Sequence, residues 1–380
     1  MNRIYVDHAA TTPVSEKAFA AMLPYFRESF GNPSALHSYG QEAKKAIESG
    51  RRAVARAIGA ASSEIYFTSG GTESDNWAIH SACEMKRDRG RHIIGTAIEH
   101  NAVLRTLEKL QQRGYTVTLL RPDARGRVTA DRLEAAIRAD TVLISVMLAN
   151  NVVGTVLPIE ALCGVAHRHG ILFHTDAVQA VGHIPVDVRK LGVDLLSLSA
   201  HKFHGPKGAG ALFSKLPRLP LPYITGGGQE KGGRSGTENV AGIVGMAAAL
   251  TECVDGLSER MRYLAGLRDR LIERTLQIPG AYLTGDPVER LPGHASFLFD
   301  GIGHSARLIA MLNEAGICAS AGAACSASAT EASHVLESLG YDAARNQSAL
   351  RISLSTCNTE AEIDAISDRL PLFIAQLRRK

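Results

Sequence analysis

Short apolar runs alternate with amphipathic stretches along the first two thirds of the chain. The runs fall at residues 65–68, 92–98, 116–120, 142–149, 171–174, 193–198 and 208–213. Between them, residues 41–58, 101–112 and 159–169 repeat their apolar positions at helical spacing, and another helix is expected from Thr72. Strands alternating with helices predict an α/β fold whose mainly parallel sheet is covered by helices on both faces. In such sheets ligands bind at the carboxyl ends of the strands. The polar clusters of this chain fall at those ends. From residue 238 a helical region runs to 277, followed by strands at 295–299 and 349–354 and helices at 305–315 and 360–378. The change of pattern puts a boundary near residue 256. Residues 13–255 are expected to form a large domain, and residues 1–12 with 256–380 a smaller α+β domain.

Composition narrows the function. Apolar residues make up 45% of the 380 positions and charged ones 21%, the balance of an ordinary globular protein. A net charge of +4 with no basic run gives no electrostatic case for direct nucleic-acid binding. The opening MNRIYVDHAATTP reaches Asp7 before any apolar region forms, and no apolar stretch approaches a membrane span, so the reading is a cytoplasmic protein. Cysteines at 83, 163, 253, 318, 325 and 357 contain no CxxC pair, which fits free thiols and no metal site. Cys318 and Cys357 are expected on the core side of the second domain.

The chemistry centres on residues 197–208, SLSAHKFHGPKG, a turn between two strands. Lys202 lies there beside Ser199 and His201. A buried lysine carries Schiff-base chemistry because desolvation frees its amine; an exposed loop lysine would do nothing of the kind. Ser69-Gly70-Gly71-Thr72 follows a strand and opens a helix, a place where backbone N–H groups and the helix dipole receive phosphate. His100 and the adjacent amides Asn150 and Asn151 end two further strands. Asp176 ends another, and a carboxylate buried there needs a cation. An arginine would satisfy it; so would a protonated pyridine nitrogen. A phosphate cradle, a histidine, an aspartate and a lysine at successive strand ends together describe a pyridoxal-phosphate site.

The stretches YVDHAATTP, GNPSALHSYG, FTSGGTESDN, EHNAVL, NNVVGT, HTDAVQ, SAHKFHGPKG, GGGQEKGGRSGTEN and LRISLS, in this order, resemble the NifS/IscS-like cysteine desulfurases of the class-V aminotransferase family over residues 4 to about 365. The resemblance implies a fold-type I pyridoxal-phosphate enzyme. Residue by residue, it implies that Lys202 holds pyridoxal 5'-phosphate covalently, Asp176 pairs with the ring nitrogen, and His100 stacks on the ring and shuttles protons. Gln179 and Asn151 would lie near the ring hydroxyl; Gly71, Thr72, Ser199 and His201 would hold the phosphate. Thr237 would reach the phosphate site of a neighbouring subunit in a homodimer. Arg351, with Asn151, would bind the substrate, its fork matching a carboxylate.

The family's nucleophile matches Cys325, in ICASAGAACSAS, with the spacing to Arg351 of the long-loop branch. Small residues around it favour an exposed, movable loop, although Ala321 and Ala323 stand where the family carries hydroxyl residues. The implied reaction removes sulfur from L-cysteine, leaving L-alanine and a Cys325 persulfide for an acceptor protein. Iron–sulfur assembly, tRNA thiolation and DNA phosphorothioation all draw on such donors. The alternatives are a selenocysteine lyase or aminotransferase of the same fold, which would not need Cys325, and a non-catalytic sulfur-transfer adaptor, which would not need Lys202.

Overall fold

The computed structural model describes residues 3–216, 219, 222–321 and 333–379. Ala323 and Cys325 fall outside the described residues. Among the described residues, twelve strands follow in chain order: β1 (Ile4–Tyr5), β2 (Ile65–Thr68), β3 (His92–Thr96), β4 (Thr116–Leu120), β5 (Thr141–Ser145), β6 (Leu172–Asp176), β7 (Leu195–Ser199), β8 (Gly210–Ser214), β9 (Ala281–Leu283), β10 (His294–Phe299), β11 (Ile317–Cys318) and β12 (Leu350–Ser353). Seven of them form one sheet in the order β2-β8-β7-β6-β5-β3-β4. Every residue of β3, β5, β6 and β7 is buried, as expected where helices cover both faces. β4, at the edge, is half exposed.

The pairing of β3 through β7 is parallel, but β8 runs antiparallel to both β7 and β2. Only residues 200–209 connect β7 to β8, too few for a parallel crossover. That short return is the Lys202 turn. The chain leaves β3 for the edge strand β4 and comes back to β5 on the other side of β3, so the winding reverses between β3 and β5 and opens a crevice at their carboxyl ends.

Two expected elements divide. The run 142–149 is strand only to Ser145, after which Val146 and Leu148 donate to the carbonyls of His174 and Asp176 and the buried chain bends over the sheet end. The helical region 238–277 breaks at Gly256 (φ 79°) into Val240–Val254 and Leu257–Leu276, bent by 74°. No single helix among the described residues is long and apolar enough to cross a membrane.

A second core gathers around the antiparallel sheet β12-β10-β9, where Phe297, Phe299 and Ile352 pack with Leu267 and Leu271 of Leu257–Leu276 and with Ile363, Ile366 and Leu370 of the terminal helix Glu360–Arg378. β1 pairs in parallel with β11, bringing the N-terminus onto this region. The short helix His334–Ser338 instead places Val335 and Leu336 in the core of the large sheet. Cys357 is exposed, against the expectation of a core position, because it sits in the turn between β12 and the N-cap of the terminal helix; Cys318 is half-buried.

Candidate active site

A cleft of about 250 Å³ opens at the carboxyl ends of the strands, lined by Gly71, Thr72, Asp75, His100, Met147, Asn151, Asp176, Val178, Gln179, Ser199, His201, Lys202 and Arg351 together with Ala9 and Ala10. After β2 the chain turns at Gly70 (φ 154°) into the helix Gly71–Met85, whose first N–H groups face the cleft end. Gly71 has no room for a side chain, since a Cβ there would lie 2.6 Å from Val178 Cγ2. Ser199, ending β7, stands beside this turn, its Cβ 3.7 Å from where a Gly71 Cβ would lie, and His201 also lines the cleft.

The Lys202 turn is clamped by the N-terminal stretch. Thr12 exchanges hydrogen bonds with the turn: its N–H and its hydroxyl both donate to the His201 carbonyl at 2.9 Å, and its hydroxyl accepts from the His204 N–H at 2.8 Å. His204 takes a left-handed conformation (φ 64°) to make this bond. Lys202 Nζ donates to the carbonyls of Ala9 at 2.7 Å and Ala10 at 2.8 Å. These two backbone carbonyls hold the amine at the cleft.

His100 caps the helix Asn101–Gln111. Its Nδ1 accepts the Ala102 N–H at 3.1 Å, so the neutral ring carries its proton on Nε2. The following strand end separates its two amides. Asn150 is buried and structural: its Nδ2 donates to the Ile98 carbonyl at 2.9 Å, and its Oδ1 accepts from Val152 and Val153. Asn151 lines the cleft, and its carbonyl accepts from Arg351 Nη1 at 2.9 Å. Arg351 also donates to Asp7 Oδ1 at 2.7 Å.

Three carboxyls surround this space. Asp176 accepts the Val178 N–H at 2.9 Å; burial raises it, against the charges of His100 and Lys202. Glu99 is pushed up to about 8 by burial, with the Thr96 hydroxyl and Met147 N–H donating to its Oε1. Asp75 is raised by burial first and then by Asp176. His201 is lowered to about 4, by burial and then by Lys202, and stands neutral beside the lysine.

Of the residues read from sequence, Gly71, Thr72, His100, Asn151, Asp176, Gln179, Ser199, His201, Lys202 and Arg351 come together in this one cleft. Thr237 does not line it and is exposed. Cys325 lies outside the described residues, but its described flanks are anchored here. The backbones of Ser320 and Arg351 pair in both directions, and His334 Nε2 bonds the Glu99 carbonyl at 3.0 Å. Asp7 and Asp75 escaped the sequence reading. Asp75 stands one helical turn after Gly71 and so shares its face, the signal that would have found it. Asp7, within YVDHAATTP, is joined to Arg351 only by the fold.

Residues 4–366 match the family model described as aminotransferase class-V. A cysteine desulfurase IscS of Methanosarcina thermophila is 47% identical over 99% of this chain and 93% of its own length. A cysteine desulfurase of Cereibacter sphaeroides is 45% identical over 100% of this chain and 97% of its own. Among solved structures, a NifS-like protein superposes with a TM-score of 0.92 at 39% identity, covering 98% of this chain and 100% of that one. SspA in complex with cysteine superposes with a TM-score of 0.82 at 36% identity, covering 93% and 99%.

Proposed function

The chain belongs to the class-V aminotransferases and, within them, to the cysteine desulfurases; from that premise we propose that its cleft binds pyridoxal 5'-phosphate and L-cysteine and that Cys325 receives the sulfur. The observation that carries this reading is the meeting of Lys202, Asp176, His100 and Arg351 in one cleft at the strand ends. The donor set fits the cofactor. A helix N-terminus, Ser199 and His201 suit a phosphate, Asp176 supplies the anion for a cationic ring nitrogen, and the bare Gly71 leaves the approach open.

Bound there, pyridoxal phosphate supplies an electron sink for charge developing at the substrate α-carbon. Lys202 then has two tasks, covalent attachment of the cofactor and movement of the α-proton, and the Ala9 and Ala10 carbonyls hold its amine ready for both. Arg351 receives the substrate carboxylate. His100 would present the Nε2 proton to the substrate side, and Asn151 and Gln179, which line the same cleft, would hold the ring hydroxyl. The Cys325 thiolate attacks the substrate sulfur: the S–S bond forms as the C–S bond breaks, and the electron pair left on carbon takes up a proton to give alanine. The persulfide passes to an acceptor protein. We also propose that two chains form a homodimer in which the exposed Thr237 of each completes the other's phosphate site, and that residues 13–255 form the cofactor-binding domain with 1–12 and 256–380 as the smaller one.

Radiolabelled cysteine tests the assignment. The wild type is expected to accumulate protein-bound label and release alanine, whereas Cys325→Ser keeps the cofactor's absorbance band and binds no label. Cys318→Ser and Cys357→Ser are expected to retain labelling. Label on the Cys325→Ser protein would move the nucleophile elsewhere.

A further inference from the structure

The buried wall of the cleft holds two groups that the proposed reaction does not use, Asp75, which lines it, and His174. Asp75, on the first turns of Gly71–Met85, is 1% exposed. One of its carboxyl oxygens lies within 4.8 Å of an Asp176 carboxyl oxygen and of a His100 ring nitrogen. His174, two residues before Asp176 on β6, is fully buried, its Nε2 standing 3.5 Å from Asp75 Oδ1 and 3.1 Å from Ser197 Oγ, and its Nδ1 2.8 Å from Ser145 Oγ. Among the described residues, Asp75 Oδ1 has no hydrogen-bond partner.

The charges facing Asp75 are unfavourable to an anion. On β6 it meets Asp176 and a histidine that burial holds at about 3 and therefore neutral; beyond β3 it meets the buried Glu99; β7 offers only the Ser197 hydroxyl. Asp176 differs in having His100, Lys202 and the Val178 N–H on its side. Two neighbouring buried carboxyls share one proton, and it settles on the member that has no lysine beside it.

We propose that Asp75 is a positioning residue that stands protonated behind Asp176 and, as a hydrogen-bonding acid, keeps Asp176 ionised for a cationic ring nitrogen. A donor to the ionised form stabilises that form. The assignment rests on the pyridoxal-phosphate reading of the cleft, but its first test does not.

Infrared spectra of the full-length protein, stripped of cofactor and reloaded, are expected to show at neutral pH a protonated-carboxyl C=O stretch that Asp75→Asn removes. No loss of such absorption in Asp75→Asn would overturn the proposal whether or not the cofactor binds. Asparagine can still donate, so Asp75→Asn should keep the affinity for pyridoxal phosphate and the pH dependence of its absorbance band. Asp75→Ala should weaken affinity by about tenfold, the effect of about one pKa unit on the partner carboxylate. Equal loss in both variants would show that an anionic Asp75 is needed and overturn it as well. Failure of the wild type to bind the cofactor would instead reject the reading of the cleft, leaving the infrared result to decide the state of Asp75.

Discussion

At the scale of single residues, the cleft is governed by which buried charges have partners. Arg351 is 3% exposed on its side chain and meets Asp7, 18% exposed, at 2.7 Å. With the Asn151 carbonyl, Asp7 fixes the plane of the guanidinium, the group proposed above to receive the substrate carboxylate. Asp7→Asn should raise KM for cysteine by about tenfold, equivalent to about 1.4 kcal/mol of lost orientation. The effect should leave kcat nearly unchanged, because the interaction serves ground and transition states alike. Steady-state kinetics decide it, and an equal fall in kcat with unchanged KM would place Asp7 in the chemical step instead. Asp176 and Lys202 were legible from sequence because the one ends a buried strand and the other follows one in a tight turn, where a charge calls for a ligand. Asp75 was not, because an aspartate inside a helix reads as a solvent-facing residue until the fold shows what covers it.

Between elements, the segment joining β8 to Val240–Val254 is tied to the sheet by one buried ion pair. Arg51, on the helix Ser38–Ala57, donates to both oxygens of Glu230 at 2.7 and 2.8 Å, with side-chain exposures of 5% and 3%. Glu230 also accepts the Phe67 N–H at 2.8 Å, and Arg51 lies 4.6 Å above the Phe67 ring. Glu230 (φ 47°) and Lys231 (φ 61°) adopt left-handed backbone, which costs about 1–2 kcal/mol per residue and needs such an anchor. Glu230→Gln leaves the buried arginine only the half-exposed Glu48, at 3.1 Å from its Nε, and should destabilise the protein by up to about 3–5 kcal/mol, while Arg51→Met combined with Glu230→Leu should recover much of that loss. Urea unfolding measures both, and a loss below about 1 kcal/mol in the single variant would show the pair to be incidental. Nothing in the sequence announced a contact across 179 positions. Local pattern sufficed for β2, β4 and the terminal helix, whose bounds agree with the reading to the residue. It failed at 146–149, where apolar residues are buried in a loop, since burial and strand pairing leave the same apolar signature.

Across the whole molecule, buried titratable groups set opposing limits on stability with pH. Burial lowers His8, His183 and His201 to about 4, and His174 and His294 to about 3, from 6.5. As pH falls below about 6.5 the unfolded chain takes up protons that these native histidines refuse, so the stability they contribute is present above that pH and is lost toward pH 4. Glu99 acts in the opposite sense. Its native carboxyl keeps its proton up to about 8, whereas the unfolded one releases it near 4.5, so its contribution is lost as pH rises between those values. Asp75, also raised, adds in the same direction. Between about pH 4.5 and 6.5 the five histidines outweigh the raised carboxyls, Asp176 among them, and stability climbs with pH; above 6.5 the carboxyls dominate and it declines. Calorimetry of the cofactor-free protein from about pH 4 to 9 should therefore show a Tm maximum near 6.5. In Glu99→Gln, where an amide stands in for the neutral acid and keeps the acceptor for Thr96 and Met147, the alkaline decline should flatten, and the rise between about pH 4.5 and 6.5 steepen, by up to about 1.4 kcal/mol per pH unit. An unchanged alkaline slope in that variant would mean that Glu99 is ionised in the native state.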